Sequence, residues 1–130
     1  MKKFDVVAAI IVKNNNYFIA QRNRNKHMGL CWEFPGGKVE KNETFEEALK
    51  REIKEELNVN ILIKYKVGEE NYQDDKINVK LHYFMCSHID GEIKLIEHED
   101  SAWVKKNEFI NYNFAAVSYT HLRAHETADN

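Results

Sequence analysis

The apolar residues of this chain arrive in short runs at first, then switch to a helical spacing, then return to short runs. Phe4 to Val12 is nearly continuous and rich in β-branched side chains, which predicts a buried strand. The Asn14-Asn15-Asn16 cluster turns the chain back, so Tyr17 to Gln21 should pair with it as a hairpin. Residues 22–30 are polar with one glycine and read as a loop. Cys31 to Phe34 is a short strand, ended by the only proline of the chain, Pro35, and followed by a Gly36-Gly37 turn. Thr44, with Glu47 three residues later, is a capping box that opens a helix. Phe45, Leu49, Ile53 and Leu57 then recur at helical spacing and make its buried side. Beyond it, Val59 to Val67 and Val79 to Cys86 read as neighbouring strands. Asp90-Gly91 is a turn, Ile93 to Ile96 and Ala102 to Val104 are short strands, and Lys106 to Ile110 is one helical turn. The order is mixed α/β (α+β), without internal repeats, and its length suits one domain.

The polar side of the helix changes the picture from fold to chemistry. Glu52, Glu55 and Glu56 stand at i, i+3 and i+4, on one face. Three carboxylates so close repel unless a cation sits among them. Hard oxygen donors of this kind suit Mg²⁺, with Mn²⁺ able to substitute, and such metals usually carry phosphates. A solvated acidic face is the bland reading of any Glu-rich helix. Here the preceding Gly-Gly pair and the single Arg51 argue for the metal.

Composition narrows the partner. With 43% hydrophobic residues there is material for one core, and a net charge of −2 leaves no basic stripe for a nucleic-acid polymer. A small anionic substrate remains compatible if metal ions bring the positive charge. Cys31 and Cys86 have no metal or redox spacing and read as reduced core thiols. The apolar run after Met1-Lys2-Lys3 is too short to cross a membrane or to act as a signal peptide, so a cytoplasmic monomer with no membrane partner is expected.

Gly37, Glu43, Arg51, Glu52, Ile53, Glu55, Glu56 and Val59 fall in a register that resembles the Nudix box, Gly-x5-Glu-x7-Arg-Glu-(apolar)-x-Glu-Glu-x-Gly-(apolar). Only the second glycine differs: Asn58 stands there, just past the last helical turn, where a left-handed residue closes helices and Asn is the next best choice after Gly. The resemblance covers about Phe4 to Phe114 and looks closest to the MutT-like branch of the Nudix hydrolases. Its most specific stretch runs from His27 through Met28-Gly29-Leu30-Cys31-Trp32-Glu33-Phe34-Pro35-Gly36-Gly37-Lys38 to Glu40. It implies the Nudix fold, a mixed β-sheet sandwiched between helices. It also implies metal-dependent hydrolysis of a nucleoside triphosphate to monophosphate and pyrophosphate, 8-oxo-dGTP being the best-known substrate.

By the same resemblance, Gly36 (through its carbonyl), Glu52, Glu55, Glu56 and Glu97 would hold the metal. Glu97 lies six residues before Trp103 in the acidic loop Glu97-His98-Glu99-Asp100, and Glu99 is its alternative. Glu52 or Glu97 would be the base, with Arg51 and Glu43 in support. Arg22, His27, Phe34, Gly36, Gly37 and Lys38 would meet the substrate. His98 is expected to be packed or hydrogen-bonded, since the family works with carboxylates and water. Two alternatives stay open: a CTP or methyl-dCTP pyrophosphohydrolase, and a non-catalytic nucleotide-sensing module, against which the intact carboxylates argue. The domain is expected over 1–117. Residues 118–130 break with the Lys/Asn/Ile-rich body and carry only Tyr119 and Leu122 as large apolar residues. They read as a tail foreign to the family, disordered or a sequence artefact, in place of the family's C-terminal helix.

Overall fold

The computed structural model describes residues 2–26 and 28–115. The elements, in chain order, are β1 (Lys2–Lys13), β2 (Asn16–Gln21), β3 (Trp32–Glu33), β4 (Gly36–Lys38), α1 (Phe45–Leu57), β5 (Asn60–Gln73), β6 (Ile77–Asp90), β7 (Asp100–Val104) and a 3-10 helix (Lys106–Asn111). The expected hairpin forms on a two-residue loop. Asn14 and Asn15 both take positive φ, 52° and 64°, the left-handed pair whose twist matches the flanking strands and which Asn tolerates.

Past that hairpin β1 and β2 pair only at Val12–Tyr17 and Lys13–Asn16, then diverge. The segment from β3 to β4 runs in the resulting wedge. β3 pairs with the end of β2 (Ala20–Glu33, Gln21–Trp32), and β4 with the middle of β1 (Val6–Lys38, Val7–Gly37, Ala8–Gly36). β7 covers the other edge of β2, while β6 runs parallel to β1 and antiparallel to β5. Helix α1 packs over β1, β4 and β5. Ala48, Leu49, Ile53 and Leu57 meet Val7, Ala9, Ile11, Phe18 and Ala20 in one buried cluster. The capping box of Thr44 and Glu47 is present, and Asn58 closes the helix in the left-handed conformation (φ 59°, ψ 33°).

Three expectations are corrected by the structure. Gly36-Gly37 is not a free turn: it is part of β4, because β1 needs a partner there and accepts one only without a side chain. A Cβ on Gly36 would fall well inside contact distance of the Val7 carbonyl oxygen. Ile93 to Ile96 is not a strand. Its Lys94 and Ile96 N–H groups donate to the Leu57 and Glu56 carbonyls (2.9 and 3.1 Å), satisfying helix-end acceptors instead of a sheet neighbour. β5 and β6 are longer than their apolar runs, since most of β5 is exposed and shows no alternation to read. The helical turn expected at 106–110 is present, as the 3-10 helix. His27 and the tail 118–130 lie outside the described residues.

Candidate active site

Glu56 belongs to the apolar stripe of α1, spaced with Leu49 and Ile53, so folding drives its carboxylate inward; its side chain is 8% exposed. Glu52, one turn earlier and also half withdrawn, shares a hydrogen bond with it. Burial pushes both carboxyls above the ordinary range. For Glu56 the rise is larger, because the charges of Glu52, Glu33 and Glu97 add to it. Glu55 points outward, 56% exposed.

Arg51 ties the helix to the strand before it. Its Nε donates to Glu43 Oε2 (2.6 Å), and its NH2 group donates to Glu43 Oε1 and the Lys38 carbonyl (both 3.0 Å). Its NH1 group reaches Glu52 Oε2 at 3.2 Å and Glu55 Oε2 at 3.5 Å. Glu43 in turn accepts from the Glu40 N–H (2.9 Å), and these donors hold its carboxyl below the usual value. One planar guanidinium therefore fixes the rotamer of Glu52 from the side. Gly37 fixes it from above: a Cβ there would overlap the Glu52 carboxyl group.

The residues fit a divalent cation by donor chemistry. Two half-withdrawn to buried carboxylates face each other with a third charge, Glu97, felt at Glu56, an all-oxygen donor set of the kind that hard divalent cations take. Among the described residues, no three His, Cys, Asp or Glu side chains stand as a ready-made cage. The metal-free geometry thus sets the Glu52 and Glu56 carboxyl groups side by side in hydrogen-bonding contact.

A pH dependence follows. Glu52 and Glu56 have folded pKa values above their unfolded ones, so their contribution is present below the unfolded value and lost as pH rises through the folded one. Glu43, Glu69 and Glu99 are shifted down, and their contribution is complete above the unfolded value. In the pH window above the unfolded carboxylate value and up through the raised folded ones, the carboxylate pair therefore sets the trend. The melting temperature of metal-free protein should fall across that window, and Mg²⁺ should flatten the fall. A metal-free melting curve that rises with pH would contradict the assignment.

The loop before β7 completes the surroundings. Ile96 is anchored to Glu56 and Glu99 to Gln21 through the main chain (3.1 and 2.9 Å). Glu97 is 44% exposed with Lys26 Nζ at 3.7 Å. Glu99 turns the other way and is taken by Arg24, at Nε (3.0 Å) and the main-chain N–H (3.2 Å). Arg22 is buried at the end of β2 with NH1 3.2 Å from Glu33 Oε1. Phe34 packs against Phe109 and Phe114, ring centroids 6.0 and 5.8 Å away, and Lys38 Nζ lies over the Phe4 ring at 4.4 Å. His98, 5% exposed, donates toward Glu33 Oε2 at 2.9 Å.

The profile of the NUDIX domain family matches residues 2–124. The chain belongs to that family. It is an enzyme of the Nudix hydrolase kind, acting on nucleotides. It is 32% identical to the CTP pyrophosphohydrolase of Escherichia coli K12 over 95% of this chain and 92% of that one. To the 8-oxo-dGTP diphosphatase of Buchnera aphidicola it is 32% identical over 88% of this chain and 86% of that one. To the Proteus vulgaris 8-oxo-dGTP diphosphatase it is 54% identical over 46% of this chain, spanning 54% of that relative. Among solved structures, MutT of methicillin-resistant Staphylococcus aureus matches at 36% identity with a TM-score of 0.72, covering 98% and 99% of the two chains. The Escherichia coli ORF135 protein matches at 31% and 0.78, covering 98% and 91%.

For this Nudix enzyme the sequence pointed to the helix carboxylates, Arg51 and Glu43, and the fold brings Glu52, Glu56, Arg51 and Glu43 together while Glu55 stays at the exposed rim, 3.5 Å from Arg51. It missed Glu33. Period-two alternation in Cys31–Phe34 would have turned Glu33 to the side of Cys31, away from Trp32 and Phe34, and so inward. No helix among the described residues is long and apolar enough to span a membrane. Cys31 and Cys86 are free and buried, and burial pushes the Cys86 thiol up to about 12.

Proposed function

We propose that this Nudix enzyme uses a divalent cation, Mg²⁺ or Mn²⁺, to hydrolyse a nucleoside triphosphate to monophosphate and pyrophosphate, with 8-oxo-dGTP the preferred substrate. The observation that carries the reading is the Glu52–Glu56 carboxyl pair, with Glu56 buried and Glu52 clamped by Arg51 and Gly37. Bound there, the cation would neutralise the phosphates and polarise the bond to be broken. Glu52 and Glu56, with Glu55 beside them and the Gly36 carbonyl, are the residues that would hold it. Arg51 and Glu43 keep Glu52 in one rotamer while the substrate binds and leaves. Of the two carboxylates expected as base, Glu52 is held by Arg51 and Glu56, whereas Glu97 is more open to water. That favours Glu97 as the proton acceptor and, because Arg24 occupies Glu99, as the acidic-loop group of the site. Arg22, His27, Phe34 and Lys38 are proposed to meet the substrate. The buried Arg22–Glu33 bond favours a supporting role for Arg22 over a direct grip on phosphate. A monomer working in the cytoplasm is part of the same proposal, as is a domain ending near residue 117.

The 8-oxo-dGTP preference is supported by the several relatives that carry that name. A second reading, a CTP or methyl-dCTP pyrophosphohydrolase, is supported by the near full-length match to the Escherichia coli enzyme. A pyrophosphate-release assay with Mg²⁺ across 8-oxo-dGTP, dGTP, CTP, dCTP and methyl-dCTP separates them. We expect the highest kcat/KM for 8-oxo-dGTP. Faster turnover of any cytosine nucleotide than of every purine would transfer the assignment, and no pyrophosphate from any of them would leave only the sensing module.

A further inference from the structure

Between the carboxylate pair and the wedge strands stands an imidazole that none of the chemistry above uses. The His98 ring is 5% exposed, with Nε2 2.9 Å from Glu33 Oε2 and 3.8 Å from Glu56 Oε1. The other Glu33 oxygen accepts from Arg22 NH1 at 3.2 Å. A continuous line thus runs from β2 through β3 and His98 to α1, ending on a carboxylate of the proposed metal site. The ring is not needed to fix its own loop, because the main-chain bonds of Ile96 to Glu56 and of Glu99 to Gln21 already do so. Nor does the ring satisfy itself. Nδ1 is buried without a hydrogen-bond partner among the described residues, a cost that an apolar side chain would avoid. The atom that explains an imidazole here is Nε2, an N–H donor set between two acidic groups on different elements.

We infer that His98 is a positioning residue: by donating its Nε2 hydrogen to Glu33 it keeps that carboxylate turned toward Arg22 and away from Glu56, leaving the Glu56 oxygens directed at Glu52 and the cation. Without the donor, Glu33 and Glu56 face each other across the space the ring fills, and Glu56 must rotate or draw Glu33 into the site. The role is exerted on the metal-holding geometry, not on the nucleotide base. It rests on the metal-dependent reading given above. Groups in contact with the ligands of a metal commonly alter its affinity ten- to a hundredfold when removed.

The test uses the full chain and three variants. His98→Leu fills the space and removes the donor. His98→Gln carries an N–H at about the reach of Nε2. His98→Asn carries one too short to reach Glu33. Mn²⁺ binding is read directly, by the electron paramagnetic resonance signal of the free ion, alongside kcat, KM and melting temperature. For His98→Leu we expect Mn²⁺ binding weakened about tenfold or more and kcat reduced in step at fixed metal. KM for the nucleotide should stay within roughly threefold, and the melting temperature should not fall. His98→Gln should recover most of the affinity and His98→Asn should not. If His98→Leu fails to fold, the Gln and Asn variants decide the matter by their difference. Parent-like Mn²⁺ binding in His98→Leu, or equal affinities in the Gln and Asn variants, would overturn the inference while leaving the reading of the site intact. A parent chain that neither binds Mn²⁺ nor releases pyrophosphate would overturn both.

Discussion

Glu56→Gln is expected to lower kcat at least a hundredfold and, in metal-free protein, to raise the melting temperature increasingly as pH rises. Glutamine keeps the shape of the side chain and its hydrogen bond toward Glu52, but it brings no charge to the cation. Loss of one such group costs on the order of 2.7 kcal/mol in the transition state, a hundredfold in rate. The stability gain has a separate origin. Glu56 is buried among the charges of Glu52, Glu33 and Glu97, all of which disfavour its ionised form, and the amide removes that conflict. Glu52→Gln should behave alike in rate, with a smaller gain in stability because Glu52 is less buried and also serves Arg51. Glu55→Gln should cost least of the three, since that side chain is mostly exposed. Initial rates under limiting Mg²⁺, paired with melting curves in a chelator, test both halves. Parent-like turnover in Glu56→Gln would remove the carboxylate pair from the chemistry.

The second large effect separates two adjacent glycines. Gly36→Ala places a methyl group against the Val7 carbonyl and the Ala8 Cα, main-chain atoms of β1 that cannot give way without breaking the β1–β4 pairing. A destabilisation of about 3 kcal/mol is expected, lowering the melting temperature by roughly 10 °C. At Gly37→Ala the three nearest atoms to the new methyl group are all at the end of the Glu52 side chain. Rotation of that carboxyl relieves the overlap, so the fold should survive with little change in melting temperature. The displaced Glu52 should nevertheless reduce kcat about tenfold to a hundredfold. Because both changes act on one carboxylate, Gly37→Ala combined with Glu52→Gln should lose little more than Glu52→Gln alone. If Gly37→Ala proves fully active, or is the less stable of the two alanine variants, the contacts of the two glycines have been assigned the wrong roles.

Much of this protein is legible in local sequence, for reasons that are themselves local. The capping box at Thr44 and Glu47, the left-handed closure at Asn58 and the asparagine hairpin at 14 and 15 depend on neighbouring dihedrals and short hydrogen bonds. The helix stripe and its acidic face follow from a fixed period. Arg51 and Glu43 could be named together from their register, although eight residues separate them.

Tertiary structure decided what depends on packing between distant segments. Whether Gly36-Gly37 turns or pairs depends on the gap opened by the divergence of β1 and β2, which no local pattern encodes. The length of β5 is set by hydrogen bonding to β6, not by burial, so its exposed residues show no alternation. Residues 93–96 join no sheet, because the N–H groups of Lys94 and Ile96 go to the carbonyls at the end of α1, a demand written in a different part of the chain. The pairing of Glu99 was decided in the same way, by Arg24 arriving from another loop, and that pairing is what favours Glu97 in the proposed site. Sequence alone determined which charged groups the helix carries. Only the fold determined which of them are stripped of water and set against one another, because desolvation is a property of the whole packed core.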